Sequence, residues 1–242
     1  MCVEFICGGY FLTKRGPHRA YDRATLGQPG NFVTLSPERV YFFPDSWALS
    51  WVSESDTTRA EATTALGIPA SSLPTLIPQV TGAFEELFFW PNVIPTVSAA
   101  RQLLQMVPPS PGWLVVGFGV AEDDVATLLE RNEPPAQKPG FAPTGSGGVF
   151  QVLANRKPLE PGFVELGFDV LEISYGMLWH SCLDFDLAAT EAYDGALNAN
   201  GLLPDYAAAT HAARVLMNQL HPANPGIVTA AQIVHYDSEG SS

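Results

Sequence analysis

Basic residues are nearly absent from the last third of the chain. Residues 158–242 carry one, Arg214, against eleven acidic side chains, a net charge of −10. Residues 61–157 carry five against eight, and residues 1–60 six against six. A surface of that sign repels phosphate, so direct binding of nucleic acid is not expected. Docking on an anionic membrane is not expected for the same reason. Cysteine is scarce: Cys2, Cys7 and Cys182 make an odd number with no CxxC spacing. No apolar run approaches the roughly 18 residues of a membrane span. In the N-terminal MCVEFICGGYFLTKR the basic Lys14 and Arg15 follow the apolar run rather than precede it, which is the wrong order for a secretory signal. These absences lead us to expect a reduced, cytoplasmic protein.

Catalytic motifs are missing as well. The strand-to-helix junction at 112–131 reads Gly117-x-Gly119-x-x-Glu122, with glutamate where a dinucleotide fingerprint has its third glycine. Glu122, Asp123 and Asp124 suit the positive end of a helix dipole and would repel a pyrophosphate. Ser146 stands in Gly-Ser-Gly-Gly rather than in a nucleophile elbow. No cofactor and no metal is expected.

What the chain does have is a core. Of 242 residues, 46% are apolar and 11% aromatic, enough to exclude disorder. Alternation and apolar runs predict strands over 3–13 (interrupted at Gly8-Gly9), 39–53, 112–120, 149–157, 163–173, 177–185 and 226–236. Capping signals and 3.6-residue periodicity predict helices over 55–66, much of 72–106, 121–131, 187–197 and from Asp205 onward. In the last of these, Tyr206, Ala209, Ala213, Leu216 and Leu220 form one apolar face. Strands come in pairs rather than in strict alternation with helices, so the expected class is α+β, a largely antiparallel twisted sheet with helices packed on it. The stretch 133–148 holds four Pro and four Gly. It is either a long loop in a single domain or a linker between an N-terminal region, 1–132, and a C-terminal region, 149–242.

The densest information lies in Gly162–Leu220. Within 163–173, Glu165, Gly167, Asp169 and Leu171 alternate with Val164, Leu166, Phe168 and Val170, as in a half-buried strand. On a strand over 177–185, His180, Cys182 and Asp184 would share one face, about 7 Å apart. That is long for a nucleophile and its base, and a zinc site there would need a fourth ligand such as His235. A small hydrolase or metal-dependent enzyme using His180, Cys182 and nearby carboxylates is therefore the alternative functional reading.

The same stretch carries a resemblance. Leu166, Gly167, Phe168, Val170, Leu171, Gly176, His180, Ser181, Leu183, Leu187, Asn200, Gly201, Leu202, Asp205 and Tyr206 match a tail pattern, LGFE…HSWLCNGLE…GLIDDY. The chain thereby resembles a family of uncharacterised bacterial proteins, several of which are identified as immunity proteins that neutralise polymorphic toxins in interbacterial competition. It departs from them at Cys182-Leu183-Asp184-Phe185-Asp186, where the pattern has Trp-Leu-Cys-Asn-Gly. The resemblance implies a non-enzymatic protein whose partner is a cognate toxin, and the net charge of −10 over residues 158–242 leads us to expect a basic surface on that partner. Carboxylates with aromatic anchors would meet such a partner, and the candidates are Trp179, His180, Asp184, Asp186, Glu191, Tyr193 and Asp194.

Overall fold

The structure, a computed structural model, describes residues 3–14, 71, 75, 93–106, 113–131, 149–174, 177–185, 193–219 and 226–237. The strands expected over 39–53 and the helix expected over 55–66 lie outside these residues. So do most of 72–92, the stretch 133–148, and the start of the 187–197 helix.

Among the described residues, five strands form one sheet: β1 (Phe5–Lys14), β2 (Trp113–Ala121), β3 (Phe163–Ser174), β4 (Met177–Ser181) and β5 (Ile227–Tyr236). The order is β1-β2-β5-β3-β4, and every neighbouring pair is antiparallel. With its helices this is the α+β class that the pairing of strands predicts. Residues on both sides of 133–148 share the sheet, since β2 pairs with β5 from Val115↔Tyr236 to Val120↔Ala231.

Among the described residues the helices are α1 (Val97–Met106), α2 (Glu122–Arg131), α3 (Val149–Ala154), α4 (Cys182–Phe185) and α5 (Tyr206–Gln219). Each long helix has a local reason to start. Thr96 caps α1 by accepting from the Ala99 N–H through Oγ1 at 3.1 Å, and Glu160 Oε1 accepts from the Val97 N–H at 2.9 Å. Asp205 Oδ1 accepts from the Ala208 N–H at 2.8 Å and caps α5. Three acids occupy the first turn of α2, matching its dipole.

The sheet is covered on both faces. The larger core joins β1 and β2 to α1, α2 and α3, with Leu12, Val115, Val116 and Phe118 fully enclosed. Val115 and Val116 point to opposite faces, so β2 is buried on both. The smaller core lies under α5, where Ala209, Ala212, Ala213 and Leu216 meet Phe168, Val170, Val228 and Ala230. Small alanines let the helix axis sit close to the strands.

Three expectations are corrected here. Residues 149–154 form a helix rather than a strand. Its buried positions, Val149, Phe150, Val152 and Leu153, fit a helical i, i+3, i+4 pattern that six residues are too few to distinguish from alternation. The β3 strand is not half-buried. Val164 is 52% exposed, but every residue from Leu166 to Ile173 is buried. A bulge between Glu165 and Gly167 resets its alternation, and both cores then close on it: Leu171 and Ile173 in the larger, Phe168 and Val170 in the smaller. Finally, β4 ends at Ser181, and Cys182–Phe185 turns into a short helix.

In β1 the paired glycines do mark a bulge, between Cys7 and Gly9. Gly9 has φ 135°, and a Cβ there would run into the Val93 side chain. Its outer edge is covered rather than bare: Cys7 N–H donates to Lys157 O at 2.8 Å, and Tyr10 exchanges both backbone hydrogen bonds with Ile94.

Candidate functional site

The β3–β4 hairpin holds the polar centre of the family-like stretch. Asp169 is 1% exposed, and its Oδ1 accepts from Ser181 Oγ and from the Val170 N–H, each at 2.7 Å. Glu172, 6% exposed, stands opposite His180 in the β3–β4 register, with its carboxylate against Gly226. Two of the eleven acids of residues 158–242 are thus interior groups rather than part of an anionic surface. Glu160 is partly interior as well. Its backbone N–H donates to Tyr10 Oη at 3.1 Å, and its carbonyl accepts from Tyr236 Oη at 2.7 Å.

The ending of β4 at Ser181 dissolves the proposed His180, Cys182 and Asp184 face. A strand face repeats every two residues, but Cys182 and Asp184 lie on α4 and do not continue the repeat. Cys182 is buried beside Leu183 in the smaller core. Among the described residues, no group of three or more His, Cys, Asp or Glu is arranged to hold a metal ion.

The candidate partner residues distribute as follows. Trp179 and His180 lie on β4, which among the described residues pairs only with β3 and so forms an edge of the sheet. Asp184 lies on α4 directly after it. Tyr193 is half-buried and packs against the smaller core, which makes it a support more than a contact. Asp194 opens a single 3-10 turn, Asp194–Ala196. Asp186 and Glu191 lie outside the described residues.

Several other motif positions prove to be one clamp. Asn198 Nδ2 and Asn200 Nδ2 both donate to Leu166 O, at 2.8 and 3.0 Å. Asn198 Oδ1 accepts from the N–H groups of Asn200 and Leu202. Phe168 and Leu203 then exchange backbone hydrogen bonds at 2.8 Å each. The loop 198–203 therefore continues the outer edge of β3 where β4 does not reach. Below it, Tyr206 Oη donates to Asp124 Oδ2 at 3.2 Å, and its ring stacks edge-on against Phe5 at 5.3 Å.

The Cys7 thiol is unsuited to nucleophilic work. Burial pushes it up to about 11, offset only in part by a hydrogen bond with Tyr10. Burial likewise holds Tyr10, Tyr236 and Tyr206 above the usual tyrosine range.

One cleft of about 240 Å³ escaped the reading of motifs. It opens where β2 stops at Ala121 while β5 runs on, so that among the described residues Ile227–Ala230 have β3 on one side and no strand on the other. The walls are α2, with Asp124, Thr127 and Leu128, and α5, with Thr210, Arg214 and Met217. The Val228 N–H donates to Met217 Sδ at 3.5 Å. The spacing of Thr210, Arg214 and Asn218, four residues apart on one helix, is the signal that would have pointed here. Comparison of the chain with protein-family models, with curated proteins and with solved structures finds no match.

Proposed function

We propose that this chain is a non-enzymatic binding protein of the immunity type, which neutralises a cognate bacterial toxin by direct contact. The observation that carries this reading is the position of Trp179 and His180 on β4, an edge strand among the described residues, and of Asp184 on α4 directly after it. An edge strand presents its outer backbone and side chains together to a partner. Acidic residues continue from that edge, with Asp184, Asp186, Glu191 and Asp194 in eleven positions and no basic residue among them. Such charge steers a cationic partner toward the edge, and an aromatic side chain such as Trp179 supplies desolvated contact. The His180/Cys182 enzyme reading loses its shared strand face.

Co-expression with each toxin-like open reading frame beside the gene tests the reading. Rescue of growth with a co-purifying complex supports it. A toxic neighbour that is neither rescued nor bound overturns it. Within a complex, reversing Asp184, Asp186 and Asp194 to Lys slows association and flattens its salt dependence. If both stay unchanged, the electrostatic part is wrong.

A further inference from the structure

We infer that the cleft between α2 and α5 binds a small zwitterion of the α-amino-acid class, its carboxylate on Arg214 and its ammonium on Asp124. The two charges line one concavity from opposite walls, Asp124 from α2 and Arg214 from α5. No ion pair joins them among the described residues. Asp124 engages Tyr206 Oη through Oδ2 only, so Oδ1 keeps accepting capacity. Arg214 is exposed and is the single cation of residues 158–242.

The chemistry narrows the class. A simple anion would meet Arg214 but also the Asp124 carboxylate, in a protein of net charge −13. A metal ion would find one carboxylate where a hard cation needs several. A drug-sized ligand needs about 300 Å³ or more, and this cleft has about 240 Å³. A molecule with one charge of each sign matches both walls. Leu128, Met217 and Val228 give the cleft an apolar lining for a short aliphatic side chain. This site does not depend on the toxin-binding reading, since its strand, β5, and the edge strand, β4, flank β3 on opposite sides.

Isothermal titration calorimetry of the full chain with L-leucine, L-valine and L-methionine tests it. At least one of the three gives saturable binding. For L-leucine binding, 4-methylpentanoate, which lacks the ammonium, and leucinamide, which lacks the carboxylate, each bind about tenfold weaker or worse, as losing one charge-assisted hydrogen bond requires. If valine or methionine binds instead, its own des-amino acid and amide take their place. Arg214→Ala, a change at an exposed position, lowers affinity by about tenfold or more. Asp124→Asn does the same, whereas Tyr206→Phe, which removes only the hydroxyl on Asp124, stays within about threefold. Circular dichroism confirms that each variant is folded, and if Asp124→Asn is not, Arg214→Ala and the two analogues decide. No saturable binding up to about 10 mM by any of the three amino acids overturns the proposal. So does equal affinity in Arg214→Ala, or an analogue that binds as well as its parent.

Discussion

Asn198 closes directly over Gly167: a Cβ built on the glycine would lie 2.7 Å from Asn198 Nδ2 and 2.8 Å from Leu203 O. Gly167 also has φ 137°, which side chains rarely adopt. The glycine is needed both for its backbone conformation and for the close approach of the 198–203 loop. Gly167→Ala is therefore expected to cost at least about 2 kcal/mol, from strain and a clash with backbone that cannot move aside. A urea denaturation series reads this. A cost under about 0.5 kcal/mol would mean that the loop is not seated on β3 in solution.

Asn198→Ala removes three hydrogen bonds at once, to Leu166 O and from the N–H groups of Asn200 and Leu202. The expected loss is about 2–3 kcal/mol, since these partners are partly buried. Asn198→Asp keeps the acceptor for the two N–H groups but loses the donor to Leu166 O, so it should fall between wild type and alanine. An aspartate variant no better than alanine would place the main contribution in the Leu166 bond.

Ser181→Ala takes a 2.7 Å donor from a carboxylate that is 1% exposed. Leaving a buried carboxyl with one fewer donor costs about 1–3 kcal/mol. The double variant Ser181→Ala with Asp169→Asn should be less damaging than the sum of the two single changes, because both act on one bond. Strict additivity in thermal unfolding would show that the pair is not coupled.

Cys7 gives a pH dependence with a definite sign. The unfolded thiol ionises from pH 9.0, while the folded thiol holds its proton to about 11. The folded state is therefore fully favoured below pH 9.0 and loses that advantage as pH rises through 11. Two units correspond to about 2–3 kcal/mol. Tyr10, Tyr206 and Tyr236, held above their ordinary 10.0, act in the same direction at higher pH. Urea midpoints measured from about pH 8 to 11 should fall in wild type and fall less in Cys7→Ala. Parallel curves would place the alkaline loss elsewhere.

Arg156 is the one non-glycine residue with positive φ among the described residues, at 47°, just past the end of α3. Its N–H still bonds Leu153 O at 3.0 Å, which makes it the helix C-cap. Arg156→Gly should stabilise the protein by about 0.5–1 kcal/mol, the left-handed penalty exceeding the entropy that glycine adds to the unfolded chain. A drop in melting temperature would refute this.

The elements legible from sequence are those whose local signals agree. The glycine bulge in β1, the capped start of α5 at Asp205 and the acid-led α2 each combine a pattern of apolar residues with a residue that fixes the boundary. The α3 helix had only the apolar pattern, and six residues admit two periods. The constellation of His180, Cys182 and Asp184 failed for a related reason. Nothing in the side-chain pattern of Cys182–Phe185 marks the change from strand to helix after Ser181.

The fold class, the charge asymmetry and, among the described residues, most element boundaries follow from local sequence, because propensity, capping and periodicity act over a few residues. That Asp169 and Glu172 are interior, that the Asn198–Leu203 loop is pinned on Leu166 and Phe168, and that Asp124 and Arg214 line one cleft follows only from how distant segments pack. Each joins residues set apart in sequence, the cleft pair by 90 positions. Such contacts depend on strand order and on where β2 stops beside β5, which no local pattern encodes.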